Sequence, residues 1–343
     1  MTVVRPGLLT TVQDLGRRGF QHHGIGVGGA MDSFALRVAN LLVGNPESAA
    51  GLEVTLLGPT LRFEDDGVIA IAGGDLTATV NDRPLPMWHA VYVRAGGVLS
   101  FGQCVSGCRA YVAVAGGVDV PEVLGSRSTH LRARFGGLEG RPFRAGDVVP
   151  AGSASASAID LMPRSTGGAA PFAAVGGGLG PAFRPAYVAA PTVRAIPGTH
   201  MNRLDGESRK RLFTTPWRVK PQSDRMGYRL DGATLGLVAP LEPISEPVCP
   251  GTVQLPSEGR PIALMADCQT TGGYPRIAQV ATVDLAVLAQ LKPGDSFTFE
   301  ELTLEKAQDL YLARERELER MRRDIIGKVE WGGDGDVPDR SQL

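Results

Sequence analysis

The chain has 343 residues, more than one hydrophobic core usually organises, so two domains are expected. Its 35 Lys and Arg almost balance 36 Asp and Glu, which argues against nucleic acid or an anionic membrane as the chief partner. With 45 Gly and 25 Pro in no repeating period, many turns and a β-rich chain follow, and no apolar run approaches the ~18 residues of a membrane helix.

The N-terminal stretch has no apolar segment after a basic start, and Cys104, Cys108, Cys249 and Cys268 are scattered. A cytoplasmic protein with reduced thiols is the expectation. "GAMDSFALRVANLLVGN" predicts a helix, with Asp32 as N-cap, Gly44 just past the end, and Phe34, Val38, Leu41 and Leu42 on one face. Around it, "GVIAIAGG", "AVYVRAGGVLSFG" and "RAYVAVAGGV" read as strands closed by glycines, and "TATVNDRPLPMW" as a strand–turn–strand. From Pro150 an Ala/Gly/Ser/Pro-rich segment reads as a linker, an ordered loop or both. A second structured block starts near Thr192. "VYVRAGGVLSFG" and "LAQLKPGDSFTFE" share one pattern, as do "GPTLRF" and "GATLGL", which raises the question of duplicated halves. Thr303 begins a final helix whose stripe is Leu304, Ala307, Tyr311, Leu318, Met321 and Ile325, interrupted by Arg314. Its simplest role is to lie on a core, the other being to dock a partner. The residues after it read as a frayed tail.

Several chemistries are excluded by motif. There is no P-loop and no Gly-x-Ser-x-Gly elbow, and His22, His23, His89, His130 and His200 show no metal-ligand spacing, so no metal site is expected. "GIGVGGAMDS" looks like an anion loop but lacks Lys and places Asp32 where the anion would sit; a tight loop with a helix cap fits it better. What remains is polar groups at turns. "LMADCQTTGGYP" carries Asp267, Gln269, Thr270 and Thr271 to the end of an apolar strand, and Gly272 and Gly273 let a ligand approach the backbone. The competing reading is a turn that only satisfies itself. Asp224 and Arg225 in "SDRMGYR" form a second cluster, which an ion pair holding a loop would also explain. Asn40, inside the first helix at some cost in helix propensity, could face a pocket. Amides and carboxylates without a metal or nucleophile–base pair suit binding and polarising a small polar amide.

"GLLTTVQDLGRRGFQHHGIGVGGAMDSFALRVANLLVGN", "LEVTLLGPTLRF", "SDRMGYRLDG" and "GTVQLPSEGRPIALMADCQTTGGYPRIAQV" resemble, in order and over roughly residues 3–300, the allophanate hydrolase subunit 2 family. This biotin-dependent carboxyltransferase-like family includes the C-type subunit of 5-oxoprolinase (KipA-like proteins) and the carboxyltransferase region of urea carboxylase. The resemblance implies a mainly β fold of two related cyclophilin-like β-barrel domains with few helices, over residues 1–185 and 186–302, followed by a C-terminal helix and tail, 303–343. It implies two partners, a KipI-like B-type chain and a LamB/YcsF-type chain, in a hetero-oligomeric complex that uses ATP to open 5-oxoproline to glutamate. Absence of biotin carboxylase and biotinyl regions from this sequence favours that activity over biotin-dependent urea carboxyl transfer, where biotin would be the cofactor. A third role is regulatory, antagonising a KipI-like kinase inhibitor. Under the amide-opening reading, Asp267 is the expected N–H acceptor and Asn40 the donor to the carbonyl. Gln269, Thr270, Thr271, Gly272 and Gly273 would shape the pocket, with Asp224 and Arg225 as further candidates and Arg225 pairing with the carboxylate of 5-oxoproline. "PGTHMNRLDGES" and the long Ala/Gly/Ser/Pro segment depart from the family pattern and leave the substrate open.

Overall fold

The computed structural model describes residues 1–162 and 170–330, apart from the side chains of residues 325–330. The part of the tail from residue 331 and the side chain of Ile325 therefore lie outside the described residues.

The first half contains two sheets around a shared core. One joins Thr2–Arg5, Thr60–Arg62, Val98–Ser100, Thr79–Val80 and Arg83–Pro84. The other orders Phe172–Gly178, His89–Val93, Gly67–Asp75, Ser106–Val114, Gly51–Thr55 and Leu9–Gln13. Alternation along the second sheet separates its faces. Val54, Ile69 and Val112 meet Leu61 and Leu99 of the first sheet, while Val68, Ala70 and Ala113 meet the Ser33–Leu42 helix. Both faces are covered, so "GVIAIAGG" is apolar without alternation.

The helix is held as its sequence implies. Asp32 accepts from the Ala35 N–H at 2.9 Å, and Phe34, Val38, Leu41 and Leu42 are buried. Gly44 takes the left-handed φ of +73° that ends it. The Ala/Gly/Ser/Pro segment is more ordered than its composition implies. Ser155 caps a short helix, Ala156–Asp160, and Phe172–Gly178 pairs antiparallel with His89–Val93 at the sheet edge.

In the second half seven strands close into a barrel, in the order Thr192–Pro197, Arg276–Val280, Thr252–Gln254, Ile262–Leu264, Gly227–Asp231, Trp217–Val219 and Ser296–Glu301. Thr192–Pro197 closes it by pairing in parallel with Ser296–Glu301. Trp217, Phe297 and Phe299 fill the interior, the two Phe rings edge to face at 4.9 Å. One echo between the halves has a structural counterpart: Gly96 and Gly294 both have positive φ just before a strand that ends the motif. The other does not, because Thr60–Arg62 is a strand and residues 233–237 are not.

The Leu304–Glu330 helix lies across both halves. Thr303 caps it by accepting from the Lys306 N–H. Ala307 packs with Ala281 and Val283 of the barrel half, whereas Leu318 and Met321 join the core beneath the first helix. Arg314, the break in the stripe, stacks 4.4 Å from the Phe34 ring, and Glu315 forms a two-pronged bond to Arg37. Leu304 and Tyr311 of the expected stripe are exposed, whereas Ala307, Leu318 and Met321 supply its contacts with the two cores.

Candidate functional site

Between the halves lies a buried polar seam, and it begins with strand alternation. Leu52 and Val54 point into the first core, so Glu53 must point the other way. Tyr111 is its direct cross-strand partner, and Arg109 follows two residues earlier on the same face. The Tyr111 hydroxyl donates to Glu53 at 2.7 Å, and the Met31 N–H donates to the same carboxylate at 2.8 Å. From the barrel side comes Arg225, at the turn before Gly227–Asp231. Its Nη1 donates to Glu53, its Nη2 to the Gly29 carbonyl at 2.6 Å, and its Nε and Nη2 to the two oxygens of Asp267 at 2.8 and 2.9 Å. The Asp267 N–H returns a bond to the Arg225 carbonyl at 2.8 Å.

Charge in this seam is matched. Burial lowers the basicity of Arg225, but Asp267 and then Glu53 more than compensate and hold it above its ordinary value. Burial also disfavours the Arg109 cation, and Tyr228, Cys108 and Glu53 restore it above the usual range. Arg109 donates to the Tyr228 hydroxyl at 2.7 Å and to the Ala289 carbonyl. A second knot sits alongside. Gln290 accepts from the N–H groups of Cys108 and Arg109, and donates to Asp32 and the Arg109 carbonyl, each at 2.9 Å. Asp32 also accepts from Tyr187 at 2.6 Å, yet burial keeps its carboxyl above the normal range.

The glycine loop closes the seam from above. Gly28 donates to the Ala266 carbonyl at 3.1 Å, and a side chain at Gly26 would collide with the Cys268 carbonyl. The loop thus brings its backbone against the turn bearing Asp267. Arg17, anchored to this loop by its N–H to the Val27 carbonyl, is 1% exposed. Its Nη2 donates to the Ser128 carbonyl at 2.5 Å and its guanidinium lies 4.7 Å from the Phe135 ring centre. Its Nε and Nη1 have no hydrogen-bond partner among the described residues. Burial lowers its pKa, with Asp14 and Asp267 acting in opposition.

The expected site residues separate. Asp267 and Arg225 come together, but as each other's partner, so the Arg225 fork is spent on internal acceptors rather than open to a substrate carboxylate. Asn40 is fully buried, and its amide is committed elsewhere: it donates to the Ala49 carbonyl at 2.7 Å and to the Glu47 carbonyl, and accepts from Asn45 at 3.0 Å. It shares no hydrogen bond with Asp267. Asp224 is exposed and caps its own turn by accepting from Met226 and Gly227. Gln269 is exposed and within 3.4 Å of Gln254, a buried residue whose Nε2 has no partner. The Thr270 carbonyl accepts from Val248, and Thr271–Gly272 pairs with Glu246–Pro247. A side chain at Gly272 would strike the Gln254 amide, whereas one at Gly273 would have room.

Two further features bound the chemistry. Among the described residues no cluster of His, Cys, Asp and Glu could hold a metal ion. Burial, then Cys249 and Asp267, push the Cys268 thiol up to about 12, so it stays protonated and is no nucleophile near neutral pH. A cavity of about 330 Å³ lies apart from Asp267, with Asp14, Ala49, Gly116 and Arg127 among its walls. Its two carboxylates are engaged: Asp14 accepts from Gly16, Ser126, Arg127 and Ser128, and Glu122 accepts from the Arg127 guanidinium. Sequence reading did not find Glu53, Arg109, Tyr111, Gln290 or Arg17. The available signal was a charge inside an otherwise apolar strand, in "GLEVT" and "CRAYVAV".

Comparison with known proteins agrees with this architecture. The model of the carboxyltransferase domain, subdomain A and B, matches residues 23–301. The chain is 39% identical over 307 residues to the C-type subunit of 5-oxoprolinase from Escherichia coli, spanning 90% of this chain and 93% of that protein. The corresponding 5-oxoprolinase subunit of Haemophilus influenzae is also 39% identical, over 93% of this chain and 96% of that protein. The crystal structure of Kluyveromyces lactis urea amidolyase superposes with a TM-score of 0.84 at 30% identity, covering 93% of this chain but only 20% of that much longer one. With the match running through both halves, their seam and the glycine loop, the chain belongs to the carboxyltransferase domain, subdomain A and B, family.

Proposed function

We propose that this chain is the C-type subunit of a 5-oxoprolinase, acting with a KipI-like chain and a LamB/YcsF-type chain in the ATP-dependent opening of 5-oxoproline to glutamate. The observation that carries this reading is the near end-to-end match to the two C-type subunits of 5-oxoprolinase. In it, the chain supplies part of a dry polar site at the seam. Asp267 accepts the lactam N–H, and Arg225, itself braced by Glu53, fixes the carboxylate's orientation. Gln269 and the Thr270–Gly273 turn form the exposed rim beside it. ATP is a co-substrate of the complex, and no residue of this chain is assigned to it.

The likeness to urea amidolyase supports a second reading, biotin-dependent carboxyl transfer to urea or another amide. One assay separates them: glutamate formed from 5-oxoproline and ATP by the three co-expressed chains, with and without this one, and with avidin added. The expected result is turnover that needs this chain and is indifferent to avidin. Turnover without this chain, or a folded three-chain complex that leaves 5-oxoproline untouched, would contradict the proposal. Avidin-sensitive carboxylation of urea would establish the second reading.

A further inference from the structure

Building on the amide-hydrolase reading, we infer that Arg17 forms the other half of the substrate site: its Nη1–H donates to the carbonyl oxygen of an amide whose N–H is accepted by Asp267. Buried donors are rarely left unpaired, because each forfeits its hydration without return. Arg17 leaves two such atoms unpaired on a side chain that is 1% exposed. Its remaining contacts hold it in place: the Ser128 carbonyl fixes Nη2 and the Phe135 ring supports the guanidinium face.

The gap that Nη1 faces is defined by Gly28. A Cβ built there would lie 3.2 Å from Nη1 of Arg17 and 3.5 Å from Oδ1 of Asp267, with no other atom of the described residues beyond its chain neighbours within 4 Å. A cation donor and an anionic acceptor thus flank one small opening, and they form no ion pair with each other among the described residues. Gly28 itself is only partly buried. Its N–H bond to the Ala266 carbonyl fixes the spacing between the loop carrying Arg17 and the turn carrying Asp267.

The ligand class follows from this pairing. A planar group with a carbonyl oxygen beside an N–H, as in a lactam, a primary amide or urea, satisfies both sides at once. A carboxylate would satisfy Arg17 but set a second anion against Asp267. As the amide carbon is attacked, charge grows on the oxygen already facing the guanidinium, so the interaction strengthens toward the transition state.

The test uses the three-chain complex carrying Arg17→Met, Arg17→Lys or Gly28→Ala, with circular dichroism confirming the fold. Steady-state kinetics on 5-oxoproline are paired with calorimetric titration of this chain with 5-oxoproline, 2-pyrrolidinone and urea. Arg17→Met is expected to lower kcat/KM roughly 100- to 1,000-fold, the range for loss of one oxyanion donor. Arg17→Lys keeps a donor and should recover part of that loss. Gly28→Ala, which fills the opening and also strains a backbone at φ +65°, should weaken binding of the amides at least tenfold. Should Arg17→Met fail to fold, Gly28→Ala decides. Wild-type-like kinetics and binding in folded Arg17→Met and Gly28→Ala would overturn the inference. A wild-type complex inactive on 5-oxoproline would sink the functional reading alone. In that case amide binding to this chain that is lost in Gly28→Ala still supports the Arg17 site, and absence of any amide binding overturns it.

Discussion

Arg225→Met is expected to destabilise the chain by about 3–5 kcal/mol, the cost of breaking a buried ion pair from one side. The substitution keeps much of the aliphatic volume and removes only the guanidinium. Glu53, 1% exposed, would retain Tyr111 and the Met31 N–H but lose its nearest cation. Asp267 would lose both of its bonds to Arg225 at once. Because Glu53 belongs to the first half and Asp267 to the second, the change also loosens the junction between them. Urea denaturation should show a lower midpoint, and limited proteolysis earlier cleavage between the halves. A stability within about 1 kcal/mol of wild type would show that the seam is hydrated and the pairing weak.

Asp267→Asn is expected to act in the opposite balance, with turnover of the complex falling at least 100-fold while the fold and the assembly of the complex persist. The amide still offers one oxygen to Arg225, and Glu53 still neutralises that cation, so the structural cost is smaller than for Arg225→Met. The charge that receives the substrate N–H is gone, however, and an uncharged acceptor polarises the amide less. Gel filtration of the co-expressed chains and glutamate release check the two parts. Loss of assembly together with loss of activity would make Asp267 a structural residue of the seam and nothing more. Undiminished turnover would remove it from the site.

The contrast between these two residues shows what sequence could and could not disclose. The helix at Ser33–Leu42 was legible because its cap, apolar face and terminating glycine are all local. So was the apolar strand at Ile262–Leu264 that runs into a polar turn. The Asp267 stretch raised the choice between a site and a self-satisfying turn; its carboxylate in fact accepts from a residue 42 positions away. Asn40 was drawn toward a pocket because a polar residue inside a helix asks for a reason. That reason is the 45–49 loop, whose fold back over the helix has no local sign beyond Asn45 before Pro46.

Glu53, Arg109 and Tyr111 were hidden for a different reason. Alternation says that they share a face, but not that the face meets the barrel half. The strand Phe172–Gly178 was obscured by its Ala and Gly content, since side-chain propensity is silent when the sheet edge supplies the pairing. Arg17 stands beside Arg18 and looks like any solvated basic pair. Only its burial, and the two donors left without partners, set it apart.

The central claim is that an amide is held at the seam, between the glycine loop and the Asp267 turn. A crystal structure of the assembled three-chain complex with 5-oxoproline bound tests it most directly. The expected density places the lactam against Gly28, with its N–H toward Asp267 and its carbonyl toward Arg17. Lactam bound wholly on a partner chain, or on this chain away from Gly28, would contradict the account.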